Sequence, residues 1–128
     1  MTDMDSPLFT LRQVAAATGW NLGTMRDHFV KGVFPWHEGD GKAKVAGSTS
    51  LLSLRAAVRL GIAFQLWSLG VSPKDAFRAS TAFTDFGTVP SSNEFGLSRQ
   101  AGNIFPDGYD TTLLCRHGDG ARVMPTAE

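Results

Sequence analysis

The stretch Phe9-Thr10-Leu11-Arg12-Gln13-Val14-Ala15-Ala16-Ala17-Thr18-Gly19-Trp20-Asn21-Leu22-Gly23-Thr24-Met25-Arg26-Asp27-His28-Phe29-Val30-Lys31-Gly32-Val33-Phe34-Pro35 decides the fold. Thr10 is placed to cap a helix: its hydroxyl accepts from a free first-turn amide while Gln13, three residues on, reaches back to the cap. Phe9 is spaced to staple onto Val14 across that start. The spacing predicts a short helix over roughly 11–17, ended by Gly19, a residue that enters the left-handed region without steric cost. Asn21 is the next cap, and Leu22, Met25 and Phe29 recur at the spacing of one apolar helical face. A second helix over about 22–31 follows, closed by Gly32 and barred from continuing by Pro35. Its other face carries Gly23, Thr24, Asp27 and Lys31, flanked by Arg26 and His28. Two short helices joined through a glycine turn form a helix-turn-helix arrangement.

Outward from this pair, residues 36–46 read as a loop or hairpin around Gly39-Asp40-Gly41, with Lys42 and Lys44 two apart and so on one face of a strand. A third helix is expected from Leu51 to about Leu69, apolar nearly all round except for Arg55, Arg59, Gln65 and two serines. It is either a central buried helix or a partner surface. After Gly70, Ser72-Pro73-Lys74-Asp75 starts a fourth, with serine as cap and proline at the first helical position. Residues 84–103 are rich in Gly, Ser, Thr, Asn and Pro and read as a linker or a long ordered loop. Beyond them, Thr111–Arg116 and Ala121–Met124 flank His117-Gly118-Asp119-Gly120, a hairpin signal.

The expected organisation is a flexible N-terminus over 1–8, a helical domain over 9–83 and a loop-plus-hairpin module over 84–128. The fold class is then mainly α: about four helices and a small β wing, followed by a loop-rich segment ending in a β-hairpin. The 128 residues are about one domain's length, and 42% apolar with 19% charged residues are enough to bury a core. Twelve basic residues balance twelve acidic ones, which excludes a bulk packager of nucleic acid. The balance is uneven along the chain: residues 1–83 hold nine Lys and Arg against six acids, and residues 84–128 hold three against six. A single cysteine, Cys115, excludes an intramolecular disulfide, no secretory signal pattern opens the chain, and the longest apolar stretch, 60–71, is short of a membrane span. A cytoplasmic protein is expected.

The order helix, helix, basic hairpin, long helix resembles the MerR-type winged helix-turn-helix domain of bacterial and phage proteins. The residues that carry the resemblance are Phe9–Ala15 through Gly19, Asn21-Leu22-Gly23-Thr24-Met25-Arg26, and Gly32-Val33-Phe34-Pro35, and it extends through Leu54 to Phe77, covering roughly 9–80. A short form of this kind is also similar to phage excisionases and to the DNA-binding part of terminase small subunits. Gly23 departs from the family's usual basic or polar residue, and no long coiled-coil helix follows the fourth helix. The resemblance implies double-stranded DNA as partner and a small transcriptional regulator that binds it in a sequence-specific or architectural manner. Helix 22–31 would enter the major groove, whose base edges suit short polar and basic side chains, and wing 36–46 would reach backbone. The expected DNA-binding residues are Arg12, Asn21, Thr24, Arg26, Lys31, His37, Lys42 and Lys44. The alternative is a phage-type assembly module, excisionase-like or terminase-like, in which oligomerisation dominates; a homodimer or higher homo-oligomer is expected in either case.

Other constellations weigh less. Cys115 and His117 are two of the four ligands a structural zinc site needs, with no convincing third nearby. Gly39-Asp40-Gly41 lacks the Lys-Ser/Thr step of a phosphate loop. No catalytic residue, metal, cofactor, small-molecule ligand or membrane partner is expected, and the chain is not read as an enzyme. Trp20 and Trp36 are read as packing residues, and Arg55 and Arg59 as packed stems or partners of an acid.

Overall fold

The computed structural model describes residues 3–37, 39–42, 49–116 and 120–127. In it the caps named above are made by the side chains that carry them. Helix α1 (Leu11–Thr18) begins at Thr10, whose hydroxyl accepts from the Gln13 amide while the Gln13 side chain accepts from the Thr10 amide. It ends at Gly19 with φ 103°, and a Cβ there would meet the Phe64 ring at 2.8 Å, so both the turn and the packing exclude a side chain. Helix α2 (Leu22–Val30) is capped by Asn21, which accepts from the Thr24 amide at 3.0 Å. Helix α4 (Pro73–Thr84) follows Ser72, whose hydroxyl accepts from the Asp75 amide at 3.3 Å.

Helix α3 starts later than its apolar run suggests. Leu51–Ser53 form a strand, β2, and the helix spans Leu54–Ser68. Ser53 is extended, and its hydroxyl accepts from the Ala56 amide at 3.1 Å, which fixes the helix start there. Strand β2 pairs antiparallel with β1 (Pro7–Thr10), with Phe9 opposite Leu52 and Thr10 opposite Leu51. On its other side Leu51 exchanges both backbone hydrogen bonds with Gly41, at 2.8 and 2.9 Å. The N-terminal segment expected to fray is therefore tied down in its described part. Pro7 and Leu8 belong to β1, the Met4 carbonyl accepts from the Arg55 amide, and Asp5 takes a two-pronged hydrogen bond from the Arg55 guanidinium.

The chain divides into two compact units, Met1–Phe77 and Arg78–Glu128, so the division falls within α4 and not after it. The first unit has a continuous apolar core: Val14 and Ala15 of α1, Met25 and Phe29 of α2, Leu52 of β2, Ala56, Leu60 and Ala63 of α3, with Trp20, Phe34, Ala76 and Phe77. Trp20 sits at its centre, donating its indole N–H to the Leu60 carbonyl at 2.8 Å and packing edge-on against Phe34 and Phe64. None of residues 54–64 is exposed, so α3 is a central helix, and Arg59 is buried within it.

The second unit is built differently. A short 3-10 turn (Pro90–Ser92) and a loop precede strands β3 (Tyr109–Arg116) and β4 (Gly120–Ala127), which pair in unbroken antiparallel register from Tyr109 opposite Ala127 to Arg116 opposite Gly120. The expected turn residues His117, Gly118 and Asp119 lie outside the described residues. The stretch read as a linker or an ordered loop is an ordered one, gathered around the Arg99 guanidinium. That group donates to the carbonyls of Ala82, Phe83, Phe86, Gln100 and Asn103 and to the Thr88 hydroxyl, over 2.7–3.4 Å. Arg99 is only 6% exposed, and burial holds it below the usual arginine value. Gly87 passes so close that a Cβ would lie 2.5 Å from the Arg99 carbonyl oxygen. The described residues form four α-helices and two two-stranded antiparallel sheets, a mixed α and β content, which corrects the expectation of a mainly α class. Among the described residues, no helix is long and apolar enough to cross a membrane.

Candidate nucleic-acid interface

Three of the eight residues singled out as DNA-binding converge on one groove. Arg12 on α1, Arg26 on α2 and Lys42 beyond the Gly41 bridge line a concavity of about 760 Å³, together with Thr10, Leu11, Phe29, Val30, Trp36, Thr49 and Ser50. Their positions follow from local structure. Arg12 follows Leu11, the first residue of α1, and is exposed because Val14 and Ala15 take the buried face. Arg26 is exposed because Met25 and Phe29 take the buried face of α2. Lys42 is placed by the turn before it: the Asp40 carboxylate accepts from the His37 amide at 3.0 Å and from the amide and hydroxyl of Ser53, both at 3.2 Å. That carboxylate pins the turn to β2, and the Lys42 ammonium then lies 6.0 Å from the centre of the Trp36 ring, which itself packs on Phe29 at 4.5 Å.

None of the described residues that line this groove is acidic. Three cations on one concave surface repel one another, and a polyanion laid along it relieves that repulsion. At the N-terminal end of α2, Asn21 and Thr24 are both exposed. The Asn21 side-chain oxygen is committed to the cap, accepting from the Thr24 amide and, at 3.4 Å, from its hydroxyl. Its amide nitrogen is the part of Asn21 suited to an acceptor outside the helix.

The remaining sequence-predicted residues lie elsewhere. Lys31 is exposed but pairs with Asp27 at 2.9 Å, one helical turn back. His37 is half-buried, with its ring stacked on Phe77 at 5.9 Å, and does not line the groove. His28 likewise turns to the core, its ring 4.9 Å from Phe34 and 6.1 Å from Trp20. Lys44 lies outside the described residues. Two residues carry more than the sequence signals. Asp40 reads from sequence as a turn residue, because its partner Ser53 is thirteen positions away. Val30 has no sequence signal beyond its place four residues after Arg26, which puts it on the exposed face of α2. No family model matches the chain, and no curated protein or solved structure is significantly similar to it.

Proposed function

We propose that the first unit is a MerR-like winged helix-turn-helix domain that binds double-stranded DNA, and that the protein acts as a small transcriptional regulator. Helix α2 enters the major groove, and the segment that includes Lys42 lies along the backbone as a wing. The observation that carries this reading is the convergence of Arg12, Arg26 and Lys42 on one groove without an acidic lining residue among those described. Arg12 and Lys42 hold phosphates and give affinity without sequence preference, while Arg26 is the base-reading side chain, since guanidinium groups bond guanine in the major groove in a two-pronged manner. Duplex affinity measured against salt concentration tests this. Contact with about four to six phosphates gives a log-log slope of about −0.9 per contact, and Lys42→Ala reduces that slope by about one contact. A flat salt response refutes the proposal.

One observation favours a second reading, an excisionase-like or terminase-like assembly module in which a homo-oligomer forms through the second unit. Phe86, Val89 and Ile104 are all more than half exposed there, and β3–β4 is a two-stranded sheet, an element only marginally stable by itself. Under that reading a charge placed at Leu113 or Val123 breaks an oligomer seen by light scattering, and Arg26→Ala leaves function unchanged.

A further inference from the structure

The apolar residues of α2 divide sharply. Met25 and Phe29 are buried and Leu22 packs against the core, whereas Val30 is 85% exposed and stands on the wall of the groove that holds Arg26. Valine is a poor choice for an exposed helix end on propensity alone, because its branched side chain loses rotamer freedom against the preceding turn. A polar residue would serve solvent better there. Arg26 and Val30 are four residues apart, so they share one face and are separated by about 6 Å along the helix axis, on the order of two base-pair steps. In the major groove the one base-edge group that an aliphatic side chain recognises is the 5-methyl of thymine.

We infer that Val30 is a specificity-determining residue that packs on a thymine methyl, about two base pairs from a guanine bonded by Arg26. The inference rests on the reading of the groove as a DNA interface and adds to it a ligand chemistry that basic residues alone do not supply. Phosphate contacts by Arg12 and Lys42 set the register, and the Arg26–Val30 pair then distinguishes a guanine-and-thymine step from other sequences. Val30 bears on the choice of sequence and little on overall affinity, because it carries no charge.

The test uses the full chain and a duplex obtained by selection from random DNA. Each thymine of the preferred site is replaced in turn by deoxyuridine, which removes only the methyl group. One replacement, within about two base pairs of a selected guanine, weakens binding by the native chain about fourfold, the worth of one buried methyl. Val30→Ala binds the thymine and uracil duplexes equally, and its circular dichroism is unchanged because so exposed a side chain contributes little to folding. Val30→Lys binds all duplexes more tightly at low salt and selects less sharply among them. Duplex binding with no uracil penalty, or a penalty that persists in Val30→Ala, overturns this inference and leaves the proposed function standing. Absence of any duplex binding overturns both.

Discussion

The two units of the chain are held together by different physics. In Met1–Phe77 the centre is an aromatic and aliphatic cluster around Trp20, fed by helices whose apolar residues recur at three and four. In Arg78–Glu128, among the described residues, the cation Arg99 satisfies five backbone carbonyls, two in the last turn of α4 and three in the loop that follows, which has few apolar residues to bury. A core of the first kind is redundant, since many contacts share the load. One of the second kind depends on a single planar group, because a guanidinium offers five N–H donors in a fixed fork and no other side chain does.

Trp20→Ala breaks the comparison from the apolar side. Removing an indole that touches Phe34, Phe64 and Trp67 and donates to Leu60 destabilises by about 3–5 kcal/mol, seen as a lower denaturant midpoint. Arg99→Ala breaks it from the polar side. Five carbonyls lose a charged donor in a buried setting, and the expected loss is about 3 kcal/mol, with faster hydrogen exchange at the Thr88 and Gly102 amides. Arg99→Lys recovers little of this, because an ammonium cannot span acceptors from residues 82 to 103. If lysine restores full protection, the fork geometry is not what organises the loop.

The same difference explains what the sequence made legible. Caps at Thr10, Asn21 and Ser72 and stops at Gly19 and Gly32 act within a few residues, so their chemistry is local and could be read. The pairing of β1 with β2 joins residues more than forty positions apart, and Leu51-Leu52-Ser53 has no periodicity that separates a strand from a helix. Arg99 was invisible for another reason: its partners are backbone carbonyls, which every sequence possesses. At the groove, Arg12, Arg26 and Lys42 are legible as charges on expected elements, while position alone marks Lys31 and His37. The ion pair with Asp27 and the stack on Phe77 are tertiary or one-turn choices that a charge inventory does not rank.

Asp40 sharpens the comparison, because it is a small polar pin inside the apolar unit. Its two oxygens accept from opposite sides, one from His37 and one from Ser53. Asp40→Asn replaces one acceptor by a donor and so loses one side; a cost of about 1–2 kcal/mol is expected in the denaturant midpoint. Because this pin places Lys42, the proposed DNA binding predicts that duplex affinity in low salt falls together with stability. A variant that loses stability while keeping the full salt slope would separate the turn from the groove.

The smallest effect lies at the ion pair between Asp5 and Arg55, which closes the described N-terminal segment onto α3. The Arg55 hydrogen bond holds the Asp5 carboxyl below the usual aspartate range, with the charges of Arg55 and Arg59 adding to it. A carboxylate with a lowered folded value binds fewer protons folded than unfolded, so its contribution is complete at neutral pH. It is lost only as pH falls through the usual aspartate range to the folded value. Asp5 remains largely solvated, and a pair of this exposure is worth less than about 1 kcal/mol. Asp5→Asn should therefore lower stability slightly at pH 7, where the difference shrinks in high salt, and leave it unchanged in strong acid, where the native carboxyl is already neutral. A difference that persists in strong acid would mean that Asp5 holds β1 in place by hydrogen-bond geometry and not by charge, making the N-terminal closure the polar counterpart of Arg99.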